Sequence, residues 1–182
     1  MQSVKDFSKL IWVKFEMNLM RELNYFLGLQ IKQLKERAFV CQTNYQELFK
    51  RFKMVYAKSI DTPMPTNENL VKDENGKDVD VKRYRAMIGS LLYLTASRPD
   101  IMFSVCMCAR YQSAPKESYL KVVKRILRYL HGTSKDELWF SKGIDCNLVG
   151  YSDSDFFGCE SNSKSTSETC HVFSNSIVSW HS

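Results

Sequence analysis

The sequence predicts an α+β fold, and three observations lead to this prediction. Strand-like runs occur near residues 24–40, apolar residues recur at helical spacing between residues 45 and 130, and strand-like runs return after residue 137. Because 44% of the 182 residues are hydrophobic, the chain has enough material for a buried core. We therefore expect a hairpin first, a helical region next and a set of strands last.

The charge of the chain changes sign near residue 147. Residues 1–147 hold 25 of the 26 lysines and arginines and 16 of the 20 acidic residues, whereas residues 148–182 hold one lysine and four acids. A basic region can bind a phosphate backbone, and acidic residues on strands can bind divalent cations. A basic surface can also contribute to solubility without binding any partner. The sequence thus divides into a basic body and an acidic end.

The first elements are predicted to be a hairpin and a helix. A polar turn at residues 35–37 separates two apolar runs, which contain Phe26, Leu27, Leu29, Ile31, Phe39 and Val40. A helix is predicted next from four apolar residues at helical spacing: Tyr45, Leu48, Phe49 and Phe52. Residues 61–80 contain two prolines, a glycine and many polar residues, which is typical of a linker.

Two helices in close succession are predicted after this linker. Met87, Ile88, Leu91 and Leu92 form a helical face within residues 84–94. Pro99 suits the first turn of a new helix, and Arg98 and Asp100 on either side of it predict a salt-bridged helix start rather than a ligand site.

The stretch "PKESYLKVVKRILRYLHGT" predicts the most informative helix. Its apolar stripe consists of Leu120, Val123, Ile126, Leu127 and Leu130, and its basic stripe consists of Lys121, Lys124, Arg125 and Arg128. Gly132 is the expected C-cap. A solvated face is the commoner explanation of such a pattern, but these cations have no acid among them and so lack the usual salt-bridge partners. Phosphate contact is therefore as reasonable an interpretation as a solvated face.

The stretch "NLVGYSDSDFFGC" places two aspartates on alternate positions. Asp153 and Asp155 would share one face of a strand, where like charges repel each other. An exposed turn and a metal or acid/base site both explain the pattern, and the spacing alone favours the turn. Further strands are predicted from "STSETCHVF" and "SIVSW".

Several classes of protein are disfavoured by composition. No apolar run approaches membrane-spanning length, and charges interrupt the apolar N-terminal stretch, which argues against a transmembrane helix and a secretory signal. The six cysteines show no C-x-x-C spacing, so neither a zinc ribbon nor a disulfide framework is indicated. We expect an intracellular, soluble protein that has no membrane partner and whose thiols are mostly buried.

Several long motifs occur in order along the chain: "FEMNLMRELNYFLGLQI", "CQTNYQELFKRFKMVYAKSIDTPMP", "YRAMIGSLLYLTASRPDIMFSV", "LKVVKRILRYLHGT" and "LVGYSDSDFFG". From Phe15 to Trp180 they resemble the Pol polyprotein of plant copia-type LTR retrotransposons, in the segment from the end of reverse transcriptase into RNase H. The resemblance implies four regions: the end of the polymerase palm with a primer-grip hairpin and a first thumb-like helix (1–60), a linker (61–80), a helical thumb/connection-like region (81–147) and truncated RNase H-like strands (148–182).

The resemblance also implies a nucleic-acid-binding surface. "YFLGLQI" is similar to the family's primer-grip hairpin, with Phe26, Leu27 and Gly28 as its turn-side residues. The basic face of Lys121, Lys124, Arg125 and Arg128 would lie toward the template–primer duplex, with contacts that do not depend on sequence. The implied partners are an RNA–DNA hybrid or primer–template duplex and the missing Pol segments of the same polyprotein.

The resemblance implies an incomplete catalytic site as well. Asp153 matches the family's first RNase H metal-binding carboxylate, and the family uses Mg²⁺. The second acid belongs to a "STEAEY"-like helix and the polymerase aspartates belong to a "YVDD"-like stretch, and neither motif occurs in this sequence. Glu168 also stands where the family usually has glycine. We therefore expect that this chain alone neither holds Mg²⁺ nor has polymerase or nuclease activity, and the alternative is an expressed transposon remnant without activity or partner.

Overall fold

The computed structural model describes residues 2–15, 22–42, 45–65, 70–141, 147–159 and 164–182. The helices are α1 (Gln2–Lys14), α2 (Tyr45–Phe52), α3 (Val81–Leu94), α4 (Met102–Ala109) and α5 (Glu117–Gly132), with a 3-10 turn at Pro99–Ile101 before α4. The strands are β1 (Tyr25–Phe26), β2 (Leu29–Gln33), β3 (Arg37–Gln42), β4 (Leu138–Ser141), β5 (Leu148–Cys159), β6 (Lys164–Phe173) and β7 (Ser176–His181). The mixture of helices and antiparallel strands confirms the predicted α+β class, but helix α1 precedes the hairpin that was expected first.

The first sheet contains the predicted hairpin. Its strands lie in the order β1-β2-β3-β4, and every neighbouring pair is antiparallel. The two-residue loop Leu27–Gly28 joins β1 to β2, and the predicted polar turn joins β2 to β3. Strand β4 adds the fourth member, with Leu138 opposite Val40.

The second sheet is formed by the end of the chain. Its order is β5-β6-β7, again antiparallel, with Leu148 opposite Phe173. Asp153 lies inside β5, so the exposed turn favoured by its spacing is wrong and the alternating strand pattern is correct. The physical reason is that residues 164–173 form hydrogen bonds along β5 and keep it extended. The turn preference of Asp, Ser and Gly considers neighbouring residues only and does not include this distant strand.

The strands after residue 137 do not form one continuous set. Strand β4 pairs with the hairpin, whereas β5 begins the other sheet. The two sheets meet where the backbone N–H of Ser141 donates to Oγ of Ser176 at 3.3 Å. The indole N–H of Trp180 donates to the carbonyl of Thr95 at 2.9 Å, which connects the second sheet to the end of α3.

Helices α2, α3, α4 and α5 enclose the hydrophobic core. The predicted apolar stripe of α5 is confirmed: Val123, Ile126, Leu127 and Leu130 are fully buried, and Leu120 packs at the edge of the core. The predicted face of α3 is buried at Met87, Ile88 and Leu91, whereas its fourth member, Leu92, is exposed. Helix α1 differs, because most of its apolar side chains are exposed. Within the described residues, no helix is both long and apolar enough to cross a membrane.

The helix ends have identifiable caps. Oδ1 of Asp80 accepts hydrogen bonds from the backbone N–H groups of Lys82 and Arg83, at 2.9 and 3.2 Å, which begins α3. At the end of α5, Gly132 is still helical and Thr133 is the C-cap, so the predicted cap is wrong by one residue. The backbone N–H and the hydroxyl of Thr133 both donate to the carbonyl of Tyr129, whereas a glycine at this position would supply only the backbone donor.

The described part of the predicted linker, residues 61–65 and 70–80, packs partly against the helices. Leu70 and Val79 contact the core. The N–H of Glu117 donates to the carbonyl of Lys77 at 2.9 Å, and the Lys116 ammonium lies 2.8 Å from the Asp78 carboxylate. Residues 77–79 are therefore held at the start of α5, and the division of the chain into domains stays a prediction.

Candidate nucleic-acid interface

The basic stripe of α5 divides into two pairs of side chains. Lys121 and Lys124 are exposed to solvent, whereas Arg125 and Arg128 are half-buried. The Arg125 guanidinium donates to the carbonyl and hydroxyl of Thr62 at 3.2 and 2.9 Å, and Nε of Arg128 donates to the carbonyl of Lys58 at 2.8 Å. Both arginines thus hold residues 58–62 against α5, while both lysines stay available to a partner.

A groove of about 600 Å³ lies beside this stripe, and we call it the basic groove. Its cations are Lys72, Lys121, Arg125 and Arg128. Among the described residues that line it, Asp73 is the only acid, and it accepts a hydrogen bond from the Ser118 hydroxyl at 2.6 Å. The basic groove can therefore place several positive charges along one phosphate backbone.

Lys72 was missed by sequence reasoning because it falls inside the predicted linker. Its ammonium lies 2.8 Å from the carboxylate of Glu74, and this hydrogen bond raises the pKa of Lys72. The same contact lowers the pKa of Glu74. No local sequence signal places this lysine beside α5. Its position depends on the next residue, Asp73, whose backbone N–H donates to the hydroxyl of Tyr119, 46 residues further along the chain.

The predicted primer-grip residues lie at the first tight turn. Phe26 ends β1, and all three of Phe26, Leu27 and Gly28 are exposed. Leu27 and Gly28 both have positive φ angles, 49° and 82°, as in a type I′ hairpin turn. The hydroxyl of Tyr93 on α3 donates to the carbonyl of Leu27, which fixes the turn to the helical body. Gly28 lines a different groove from Lys121, Arg125 and Arg128.

We expect Gly28→Ala to lower the free energy of unfolding by about 1–2 kcal/mol, because a positive φ penalises a side chain. The added Cβ would also clash with the Tyr93 hydroxyl and would displace it. Urea denaturation followed by circular dichroism measures this loss. In a Tyr93→Phe background the hydroxyl is already gone, so the further loss should be smaller.

Gly89→Ala is the matched control for this prediction. Gly89 lies inside α3, its φ is not positive, and a Cβ there meets no atom within 4 Å. The replacement should raise stability by up to about 1 kcal/mol, since alanine favours the helix. Equal effects at Gly28 and Gly89 would contradict the strained turn.

Asp153 lies on β5 directly opposite Glu168 on β6, so two carboxylates share one face of the sheet. Asp153 is exposed, and Glu168 accepts a hydrogen bond from the Ser182 hydroxyl at 3.1 Å. Both line a groove beside Pro99 and Phe103. Like charges opposite one another destabilise a sheet unless a cation or proton lies between them.

The described residues do not fit a Mg²⁺ pair. Among them, no three histidine, cysteine, aspartate or glutamate side chains come together as a metal site. Mg²⁺ takes six oxygen ligands and a catalytic pair needs several converging carboxylates, whereas Asp153 and Glu168 supply two. The side chain of Asp155 lies outside the described residues. Mg²⁺ chemistry in the complete polyprotein remains an expectation of the resemblance.

Comparison with known proteins gives three informative relatives. The chain is 34% identical over 93% of its length to the Retrovirus-related Pol polyprotein from transposon RE1 of Arabidopsis thaliana. It is 34% identical over 92% of its length to the corresponding protein from transposon TNT 1-94 of Nicotiana tabacum. An uncharacterized mitochondrial protein of Arabidopsis thaliana is 34% identical over 91% of the chain. No family model and no solved structure matches.

The chain spans only 12–13% of the length of these two Pol relatives, and 69% of the mitochondrial protein. The similarity extends over nearly the whole chain. It confirms the resemblance on which the motif-based assignments rest. The chain belongs to the retrovirus-related Pol polyproteins of plant transposons and corresponds to one part of such a polyprotein.

Proposed function

We propose that this chain is a nucleic-acid-binding segment of a retrotransposon reverse transcriptase/RNase H, which holds an RNA–DNA hybrid or primer–template duplex without reading its sequence. The observation that carries the proposal is the basic groove, where Lys121 is exposed beside two anchored arginines, together with the exposed Lys124 of the same basic stripe. Phosphate contacts from such side chains position a duplex and carry no sequence information.

The anchoring of Arg125 and Arg128 supports this role. Arginines fixed by backbone carbonyls lose less conformational freedom when a phosphate approaches than freely rotating side chains do. Each guanidinium has five N–H donors, and Arg128 uses one in the contact with Lys58. Donors thus remain for phosphate oxygens. The exposed turn at Leu27 and Gly28 is a second proposed contact, where a glycine lets backbone approach a strand closely.

The proposal treats catalysis as a property of the complete polyprotein. The polymerase motif and the second RNase H acid are missing from this sequence, and among the described residues Asp153 lies opposite one further carboxylate, Glu168. Two carboxylates hold a pair of Mg²⁺ ions poorly against water. We therefore infer that the isolated chain binds nucleic acid without extending or cutting it.

We expect Lys121→Gln/Lys124→Gln to weaken binding to an RNA–DNA hybrid and to flatten its salt dependence. Each lost phosphate contact reduces the slope of log K against log salt by about 0.9, so the double variant should lose about 1.8. Fluorescence anisotropy of a labelled hybrid across a salt series measures both quantities. This variant is preferable to one that also changes Arg125 and Arg128, because those arginines support residues 58–62.

Lys5→Gln/Lys9→Gln is the matched control, since both lysines are exposed on α1 and neither lines the basic groove. It removes the same charge and should leave the slope nearly unchanged. Equal slopes for all three proteins, or no binding at low salt, would contradict the proposal and favour a remnant without a partner. Extension of a primed template by the wild-type preparation with Mg²⁺ and deoxynucleotides would contradict the inferred lack of activity.

A further inference from the structure

Residues 53–58, which follow helix α2, carry two exposed lysines and an exposed tyrosine, and we call them the tyrosine turn. Lys53 and Lys58 are exposed, and neither forms an ion pair among the described residues. Tyr56 lies between them and is 100% exposed. A solitary exposed aromatic side chain is ordinary on a protein surface. An aromatic ring between two unpaired cations is more specific, because this combination is typical of surfaces that bind single-stranded nucleic acid.

The fold holds the tyrosine turn in place. The N–H of Ala57 donates to the carbonyl of Met54 at 3.1 Å, so Tyr56 lies in a tight turn of the backbone. Met54 is buried, and Val55 and Ala57 pack against the core on either side of Tyr56. The tyrosine is therefore presented by a backbone that is already fixed, and little conformational freedom of that backbone remains to be lost when a partner binds.

The tyrosine turn runs along α5 and leads into the basic groove. Nε2 of His131 lies 3.1 Å from the carbonyl of Val55. One helical turn earlier on α5, Nε of Arg128 donates to the carbonyl of Lys58 at 2.8 Å. Ile60, which follows the tyrosine turn in the chain, lines the basic groove. A nucleic-acid strand that leaves the basic groove at this end can therefore reach the tyrosine turn next.

The backbone at Lys53 is strained, because its φ angle is 60°, in the left-handed region that favours glycine. The N–H of Lys53 donates to the carbonyl of Lys50 at 3.2 Å, and the N–H of Met54 donates to the carbonyl of Phe49 at 2.7 Å. These bonds form a helix-ending motif that usually contains glycine at this position. Glycine would make the same bonds with less strain, so the end of α2 does not itself require a lysine. A strained residue that the local fold does not require points to a role for its side chain.

We propose that the tyrosine turn binds the single-stranded extension of a hybrid or duplex that is held in the basic groove. The Tyr56 ring stacks on an unpaired base, and Lys53 and Lys58 contact the phosphates on either side of that base. Stacking of this kind accepts any base, since every base has a π-face. Asp61 is the only acid within residues 53–62, and it follows Lys58 in the chain rather than separating it from Tyr56. The inference rests on the proposed duplex binding and adds a single-strand subsite to it.

The test compares an RNA–DNA hybrid that carries a short oligothymidine extension with the same hybrid carrying an abasic extension of equal length. Both ligands have the same phosphates, so the difference in affinity by fluorescence anisotropy reports stacking alone. We expect the wild type to bind the oligothymidine extension about fivefold more tightly, or better, which corresponds to one stacked base. Tyr56→Ala should lose this preference, whereas Tyr56→Phe keeps the ring and should retain it. Neither change should lower the melting temperature, because the side chain is fully exposed.

Lys53→Gly separates binding from folding. Glycine adopts a positive φ without strain, so this variant should melt at a higher temperature than the wild type. The loss of one single-strand phosphate contact should nevertheless reduce the slope of log K against log salt by about 0.7 for the hybrid with the oligothymidine extension. The slope for a blunt hybrid should stay unchanged. Weaker binding by a more stable protein cannot be attributed to partial unfolding.

Equal affinity of the wild type for the oligothymidine and abasic extensions would overturn this proposal, and so would a preference that survives in Tyr56→Ala. Either result would leave duplex binding through Lys121 and Lys124 intact. Failure of the duplex proposal has a different signature. If the blunt hybrid does not bind, but oligothymidine alone binds and requires Tyr56, the tyrosine turn is a single-strand site without the basic groove. Binding of neither ligand would overturn both proposals.

Discussion

Replacing Arg98 with methionine is expected to lower the free energy of unfolding by about 2–4 kcal/mol. Arg98 is 3% exposed, and its guanidinium donates to both carboxylate oxygens of Asp100, at 2.9 and 2.6 Å. Removal of one member of a buried ion pair typically costs about 3–5 kcal/mol, because the other charge is left unpaired. The lower range applies here because the Asp100 side chain is 34% exposed and is partly solvated.

Arg98 also connects elements that are distant in sequence. It donates to the carbonyl and hydroxyl of Thr133 at 3.0 and 2.6 Å, and to the Tyr45 hydroxyl at 3.4 Å. Arg98 therefore connects three elements by hydrogen bonds: the start of α4, the end of α5 and the start of α2. Methionine fills a similar volume but leaves these acceptors unpaired.

Chemical denaturation followed by circular dichroism measures the effect, and two variants serve as controls. Arg98→Lys keeps the charge but cannot bond both carboxylate oxygens in the same plane, so it should fall between the wild type and Arg98→Met. Arg98→Met/Asp100→Leu removes both charges and should be less destabilised than the sum of the two single changes. A loss below about 1 kcal/mol for Arg98→Met would show that the ion pair contributes little.

The pH dependence of stability gives an independent check on this ion pair. Burial raises the pKa of Asp100, but the hydrogen bonds from Arg98 and Tyr129 outweigh burial and lower it below its ordinary value. The unfolded state therefore binds the proton more readily, and the stabilisation is present above the ordinary pKa of an aspartate and is lost as the pH falls through the folded pKa. The stability difference between wild type and Asp100→Asn should accordingly be large at neutral pH and shrink below about pH 4.

Tyr119→Ala is expected to lower the free energy of unfolding by about 3–5 kcal/mol, the range for truncating a large buried aromatic side chain. Tyr119 is 2% exposed, and its ring stacks on that of Tyr111 with the centroids 4.1 Å apart. Its hydroxyl accepts a hydrogen bond from the N–H of Asp73 at 2.6 Å and donates to the carbonyl of Val71 at 3.2 Å. The two hydrogen bonds hold the residues on either side of Lys72, which lines the basic groove. The variant should therefore also bind nucleic acid more weakly.

Tyr119→Phe separates the two effects in denaturation and hybrid-binding measurements. It keeps the ring in the core and removes only the hydroxyl, so we expect a loss of about 1–2 kcal/mol. If residues 71–73 help to shape the basic groove, Tyr119→Phe should still reduce hybrid affinity while the protein stays folded. Unchanged affinity would show that the position of Lys72 does not matter for binding.

Local sequence patterns determined which segments are helical or extended, and which faces they bury. The apolar stripe of α5 and the salt-bridged helix start at Arg98 and Asp100 are where the sequence places them, and the turn predicted at residues 35–37 lies one residue earlier, at 34–36. These features depend on residues within one or two turns of each other, so a short window contains the physical cause. The basic stripe of α5 likewise follows from the spacing of its cations alone.

Long-range contacts were decided only by the tertiary structure. The sequence predicts strands after residue 137 but not that β4 pairs with β3, about a hundred residues earlier in the chain. Periodicity does not reveal that Arg125 and Arg128 hold residues 58–62, or that Lys72 lies beside them. The sequence likewise does not reveal that Oε1 of Gln42 is buried without a hydrogen-bond partner in the described part of the chain, because burial and hydrogen bonding depend on every neighbour in the fold. The sequence by itself therefore determined the local elements and the family, and the packing of distant segments decided which side chains remain available for binding.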